Sequence, residues 1–226
     1  MNFKEQFSRK LYNPRSIEGV ANNEVFEIVE IIHQSLADEK EFVAIEPFGS
    51  SVNGYSTVGS DVDIRLYFEV PDIPEHVDTD EFVSRCAENH RRTEELKKKA
   101  LETLAQMNFD TSTIHVLIFT LSKAENVTRI QHGLREEGDA GTLGALFNIV
   151  KGDRIKEFRD SAVEQLKKLS EEERNRQVDL MAAALSESEL MSFRKIDDRT
   201  DESLDYLDLR KMRTEMWKAR ILTFLD

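Results

Sequence analysis

The pattern of apolar and polar residues predicts strands and helices in the first half of the chain. Residues 22–37 place apolar side chains at helical spacing behind an asparagine, which predicts an amphipathic helix, and residues 79–107 predict a long charged helix. The short runs 42–48 and 61–70 predict strands, the second with alternation at its start. The apolar, β-branched run 113–121 predicts a buried strand.

Strand patterns largely stop after residue 122. Helical spacing continues in the segments 139–153, 154–169, 171–185 and 204–225. The sequence therefore predicts an α+β fold, with a small mixed sheet and flanking helices followed by a helical C-terminal half. We place the boundary between a domain 1–125 and a domain 126–226.

Two aspartates stand one residue apart at the start of the second predicted strand. Asp61, Asp63 and Arg65 share one face of that strand, and carboxylates at i and i+2 can converge on one hard cation such as Mg²⁺. Upstream, Gly49 and Ser50 offer a backbone that can approach a phosphate closely. Taken singly, the loop also fits an ordinary turn and the aspartates a solvated strand edge. Together these parts predict a cradle for a metal–triphosphate complex.

The ordered motif in residues 47–66, FGSSVNG followed by SDVDI, resembles the signature of a known family. It is similar to DNA polymerase beta-like nucleotidyltransferases, and most of all to terminal uridylyltransferases and noncanonical poly(A) polymerases. The resemblance implies a palm-like domain and transfer of a nucleoside monophosphate from an NTP to a hydroxyl by a two-metal mechanism. An RNA 3′ end is the favoured acceptor; a small molecule or a protein hydroxyl also fits.

The resemblance assigns roles to five residues of the motif. It implies that Gly49 and Ser50 bind the triphosphate, that Asp61 and Asp63 bind two Mg²⁺ ions, and that Ser60 helps to pin the loop. Basic residues must also meet the triphosphate. The candidates for that role are Arg65, Lys151, Arg154 and the cluster Arg210, Lys211 and Arg213.

The expected third carboxylate of the family is not found. On the later strand its position is occupied by His115, a poor ligand for Mg²⁺, although a neutral imidazole could suit Mn²⁺ or act as a base. Glu46 and Asp110 are nearby acids, but Asp110 lies about 16 Å from His115 along an extended chain and substitutes only in a shifted register. The alternative function is therefore a nucleotide-binding or partner-binding module with weakened catalysis.

The composition limits the binding partners and the cellular compartment that we expect for the protein. The net charge is −13, and residues 1–125 carry 13 Lys or Arg against 23 Asp or Glu, so we expect no broad cationic surface for duplex DNA. No apolar run approaches the roughly 20 residues of a membrane span. The single cysteine, Cys86, forms no disulfide within the chain, which favours the cytoplasm.

Overall fold

The structure is a computed structural model that describes residues 23–49, 61–71, 78–134, 137–148, 151–197 and 204–226. The first half contains α1 (Asn23–Leu36), β1 (Phe42–Phe48), β2 (Val62–Glu69), α2 (Thr79–Gln106), a 3₁₀ turn (Thr111–Thr113) and β3 (Ile114–Leu121). The second half contains α3 (Lys123–His132), α4 (Glu137–Ala145), α5 (Ile155–Lys168), α6 (Glu171–Asp197) and α7 (Leu204–Leu222). The predicted α+β class and the helical second half are confirmed.

The three described strands form one mixed sheet in the order β1-β2-β3. β1 runs antiparallel to β2, and β2 runs parallel to β3 through eight consecutive residue pairs. Asp63 of the central strand is paired with Phe48 on one side and with His115 on the other. The sheet therefore brings residues from three separate chain segments together at one end of the strands.

One face of the sheet packs against α1 and α2. The residues of β2 that point to this side are buried, and α2 adds a stripe of buried residues at helical spacing. The apolar core on this side includes Val25, Ile28, Val29, Ile32, Leu36, Ile64, Leu66, Phe68, Leu96, Ala100 and Leu104. Each buried large aliphatic side chain contributes about 1.5–3 kcal/mol, so this layer holds the sheet rigidly.

The other face of the sheet packs directly against the helical half. Tyr67 of β2 lies in one core cluster with Phe147, Phe158 and Trp217. A backbone bridge joins Ile45 to Lys151, with N···O distances of 2.8 and 2.9 Å. The two halves thus share a core, and the boundary near residue 125 stays a prediction.

One expectation about the chain between 113 and 132 was wrong, and one helix there was not expected. β3 is an edge strand and not a buried one, because among the described strands it pairs with β2 alone, and Leu117 is 47% exposed. The helix Lys123–His132 was not predicted, since its sequence is mostly polar. No helix in the described part of the chain has the length and apolarity needed to cross a bilayer.

Candidate active site

The two aspartates lie at the start of the central strand and point to the same side. Asp61 directly precedes β2, and Asp63 is its second residue. Exposure of the side chains falls along this face, from 42% at Asp61 and 27% at Asp63 to 13% at Arg65. The predicted shared face is confirmed. It is exposed to solvent at the two aspartates, which we call its open end, and largely buried at Arg65.

The imidazole of His115 lies against both aspartates. Its Nε2 is 3.6 Å from Oδ2 of Asp61, and its Nδ1 is 3.7 Å from Oδ1 of Asp63. This contact follows from the strand pairing, in which Asp63 and His115 are direct neighbours. The structure therefore brings the three side chains together at one exposed end of the sheet.

Asp110 does not take the place of the missing carboxylate. The register is not shifted, and Asp110 instead caps the 3₁₀ turn before β3. Its Oδ1 accepts hydrogen bonds from the amide of Ser112 at 3.0 Å and from its hydroxyl at 2.6 Å. These bonds lower the pKa of the Asp110 carboxyl.

Gly49 brings the backbone directly against the carboxylate of Asp63. Its φ is +76°, a conformation that side chains with a Cβ rarely adopt. A Cβ placed on Gly49 would lie 2.1 Å from Oδ2 of Asp63. The residue type is thus required by geometry. Ser50 and Ser60, which the sequence assigns to the same loop, lie outside the described residues.

Glu46 is buried next to the site and does not face it as a free acid. Its side chain is 1% exposed, and its Oε2 accepts a hydrogen bond of 2.6 Å from the hydroxyl of Tyr67. Asn148 donates to its other oxygen, and Arg65 forms an ion pair with it at 3.5 Å. Burial, with the nearby Glu46 carboxylate, raises the pKa of Tyr67 well above its usual value. Glu46 thus belongs to a closed polar network.

Arg65 joins this network to the helical half. Its Nη2 donates to Oγ of Ser188 in α6 at 2.7 Å, and its guanidinium lies 4.1 Å from the ring centre of Phe48. Burial alone lowers the pKa of Arg65, but Glu46 and Tyr67 act in the opposite direction and the net pKa is raised. The gap beside Arg65 measures about 10 Å³, which is too small for a nucleobase.

Two of the other basic candidates, Lys151 and Arg154, form ion pairs away from the aspartates. Lys151 forms an ion pair with Glu30 of α1. Arg154 forms one with Glu69, which lies six residues after Asp63 and therefore about 20 Å along the strand. The side chains of Lys151 and Arg154 therefore lie away from the predicted phosphate site.

A cavity of about 880 Å³ lies at that opposite end of the sheet. Three of its cations are paired with acids: Arg92 with Glu39 at 2.9 Å, Lys123 with Glu157 at 2.7 Å, and Arg154 with Glu69. Because these charges are neutralised by neighbours, the volume of the cavity alone does not identify it as the reacting site. The convergent, exposed side chains are at the other end.

The donor set at the aspartates fits a divalent cation in part. Two carboxylates on one face are ligands that Mg²⁺ and Mn²⁺ accept, and the backbone of Gly49 lies directly against one of them. Within the described ranges, however, no three His, Cys, Asp or Glu side chains form a group that could hold a metal ion. The two carboxylates would have to be completed by other ligands, and the position of the family's third acid holds an imidazole.

Comparison with known proteins gives one match. A family model described as "Poly(A) RNA polymerase, mitochondrial-like, central palm domain" matches residues 5–125, more than half of the 226 residues. The matched range contains Gly49, Asp61, Asp63 and His115. A search of curated proteins and a search of solved structures each found no match.

Proposed function

The chain belongs to the family of mitochondrial-like poly(A) RNA polymerase central palm domains, and on this premise we propose that it transfers a nucleoside monophosphate from an NTP to a hydroxyl. The observation that carries the proposal is the convergence of Asp61, Asp63 and His115 beside the backbone of Gly49. The RNA 3′ end is the proposed acceptor, since the family is described by RNA polymerase activity.

The protein's part in this reaction is to hold and orient charged groups. Asp61 and Asp63 would bind divalent cations, with Asp63 fixed in direction by strands on both sides. When bound, such cations neutralise the leaving pyrophosphate and lower the pKa of the attacking hydroxyl. The absence of a side chain at Gly49 lets its backbone lie directly against the carboxylate of Asp63.

A second function is supported by one specific observation. The third acid of the family pattern is replaced by His115, and the described residues contain no complete metal shell. A nucleotide-binding or partner-binding module that has lost catalysis would show the same features. The two functions differ in whether a phosphoanhydride bond is broken.

The test incubates the full chain with each labelled NTP, Mg²⁺ or Mn²⁺, and an RNA oligonucleotide with a free 3′ end. We expect the RNA to become longer, and we expect Asp61→Asn and Asp63→Asn to abolish the transfer. Asp110→Asn is the matched control, because it neutralises a carboxylate that caps the turn before β3 and is engaged by Ser112.

Two results would contradict the proposal. NTP binding without transfer or pyrophosphate release under either metal would support the non-catalytic module. Equal labelling of an RNA whose 3′ hydroxyl has been blocked would exclude the 3′ end as acceptor.

The single exposed Cys86 is consistent with the cytoplasm as the proposed compartment, because the chain carries no second cysteine for an internal disulfide.

A further inference from the structure

We propose that the outer edge of β3 is a dimerisation surface, on which β3 of a second copy of this chain pairs antiparallel about a twofold axis at Leu117. The sheets of the two copies would then join into one continuous sheet through their β3 strands. This pairing is independent of the nucleotidyl transfer proposed above, because it concerns the edge of the sheet and not the reaction.

The outer edge of β3 presents backbone N–H and C=O groups to which no described strand bonds. The carbonyl of Leu121 accepts a hydrogen bond from the amide of Val70, so it points toward β2. Backbone groups alternate in direction along a strand, so those of Val116, Ile118 and Thr120 point away from β2. Among the described strands β3 pairs with β2 alone. The edge is therefore a template on which a further strand can pair.

The two outer strands of the described sheet differ in how their edges are protected. β1 contains an irregularity between Phe42 and Ala44, and it carries Pro47. It is also bridged at Ile45 by Lys151 of the helical half. β3, with the sequence IHVLIFTL, has no proline and no Lys, Arg, Asp or Glu, and its pairing with β2 is continuous. Because charges, prolines and bulges are what normally keep an edge from pairing with another chain, the edge of β3 is available to a partner strand.

A groove runs along this edge between β3 and α2. A cavity of about 540 Å³ is lined by Ile118 and Thr120 of β3 and by His90 of α2. A second cavity of about 320 Å³ continues the groove toward the start of β3, and Glu94 and Lys97 line both cavities. These two side chains pair with each other at 4.0 Å, so their charges offset one another. The groove therefore has room for the apolar side chains that an added strand turns toward α2.

The opposite face of β3 indicates where the twofold axis lies. Leu117 is 47% exposed and is the most exposed apolar side chain of the strand. His115 is also exposed, whereas Phe119 packs against the helical half. Residues opposite each other in an antiparallel pair lie on the same face, so Leu117 can stand opposite Leu117 of the second copy. This position of the axis covers the exposed leucine on both copies.

The same register makes the edge complementary to itself, as an interface about a twofold axis must be. With Leu117 at the axis, Val116 stands opposite Ile118 of the second copy, and both residues have outward-pointing backbone groups that can exchange hydrogen bonds. The chain carries a net charge of −13, yet β3 contains no Lys, Arg, Asp or Glu. Two copies can therefore meet at this strand without like charges directly opposite each other. A second copy thus fits the edge in both hydrogen bonding and charge.

Pairing in this register also brings the second copy to the open end of the sheet. His115, which lies against Asp61 and Asp63, would stand opposite Phe119 of the second copy. Each candidate active site would then be bordered by residues of both copies.

The first test traps the dimer with a disulfide in the full chain. Cys86→Ser removes the only native cysteine, so that an introduced cysteine is the single one. Leu117→Cys places two cysteines directly across the axis, where the Cα atoms of a non-hydrogen-bonded pair are about 4.5 Å apart, a distance that a disulfide can span. Thr120→Cys is the matched control at another exposed position of β3. It stands opposite Ile114 of the second copy, so its two cysteines would lie about 20 Å apart.

We expect mild oxidation to cross-link Leu117→Cys into a covalent dimer at least about 10-fold faster than Thr120→Cys. Analytical ultracentrifugation of the wild type should show an equilibrium between monomer and dimer. Leu117→Lys brings two like charges opposite each other and should weaken the dimer by at least about 10-fold. Leu207→Lys, at a leucine of α7 that is 45% exposed, should leave the dimer unchanged. Circular dichroism checks that each variant is folded.

Several outcomes would overturn the proposal: a wild type that stays monomeric at every concentration, equal cross-linking of Leu117→Cys and Thr120→Cys, or a dimer that Leu117→Lys leaves intact. Growth into large aggregates in place of a dimer would also overturn it, because pairing about a twofold axis uses up the edge of each copy. A monomer that binds an extended apolar peptide along β3 would assign the edge to a different protein and reject the second copy as its partner.

Discussion

Charged residues on one face of the central strand are used in two opposite ways. At the open end, Asp61 and Asp63 are partly exposed, and His115 approaches them no closer than 3.6 Å. Two residues further along β2, Arg65 is largely buried and pairs with Glu46, which lies opposite it on β1. One sheet face thus carries an open cluster and a closed network side by side.

The difference follows from the cost of burying charge. A buried ion is tolerated only with partners for its charge, so Glu46 and Arg65 hold several partners and have little freedom to change them, although the buried Nε of Arg65 has no hydrogen-bond partner in the described part of the chain. Near solvent, water can also satisfy charged groups, so they can exchange partners more readily. The comparison predicts that substitutions at the open end reduce activity, whereas substitutions in the closed network reduce stability.

The largest effect is expected for Asp63→Asn. The loss of one carboxylate ligand removes several kcal/mol of charge stabilisation in the transition state, so the rate of transfer should fall by about 10³-fold or more. Because the side chain of Asp63 is 27% exposed, the melting temperature should change little. Transfer assays and thermal melts on the same sample test both statements. A variant that lost activity only because it unfolded would break the comparison.

Glu46→Met should show the reverse pattern, with stability as the main loss. It leaves the Arg65 cation and the Tyr67 hydroxyl buried without their shared acceptor, which should cost about 3–5 kcal/mol in unfolding free energy. The double variant Glu46→Met, Arg65→Met removes the unpaired charge and should recover much of that loss. Urea denaturation measures all three proteins. A double variant that is less stable than Glu46→Met would show that the stranded charge is not the cause.

The elements of the first half could be predicted because their patterns are local. The bounds of α1, β1, β2 and α2 follow from periodicity within each segment, and the structure places them within one or two residues of the prediction. The exposed edge of β3 could not be predicted in this way. Whether an apolar strand is central or at an edge depends on which other strands pair with it, and that is a non-local property.

The closed network was missed for the same reason, although the sequence contains a signal for it. Glu46 is the only charge in the apolar strand β1, and Arg65 is the only cation in β2, so the two charges are opposite. Their pairing needs the register of β1 on β2, and the contact with Asn148 spans 102 residues. Opposite charges on two neighbouring strands are therefore worth testing as a buried pair.

A smaller effect on the rate of transfer is expected for Gly49→Ala. Gly49 directly follows β1 and lies beside Asp63 at the open end. The left-handed backbone costs about 1–2 kcal/mol for a residue with a Cβ, and the added atom must displace the Asp63 carboxylate. A misplacement of about 1 Å can reduce a rate by about 10²-fold. Gly141→Ala is the matched control, since no atom lies within 4 Å of its new Cβ in α4, and alanine favours the helix by up to about 1 kcal/mol. Equal activity in the two variants would contradict the contact between Gly49 and Asp63.

The smallest effect on stability and activity is expected for Lys151→Ala. The sequence suggests Lys151 as a phosphate ligand, whereas the structure places its side chain at Glu30. Its backbone bridge to Ile45 is kept, and only the ion pair with Glu30 is lost, so stability should fall by less than about 1 kcal/mol. Lys151 lowers the pKa of Glu30 below its ordinary value of 4.5. The pair therefore adds stability above pH 4.5, and this contribution is lost as the pH falls through the lowered pKa. Urea midpoints of the two proteins should differ at pH 7 and converge in acid, while RNA extension stays unchanged. A loss of transfer of about 10-fold or more would instead indicate that Lys151, a residue of the helical half, acts at the reacting site together with the open end.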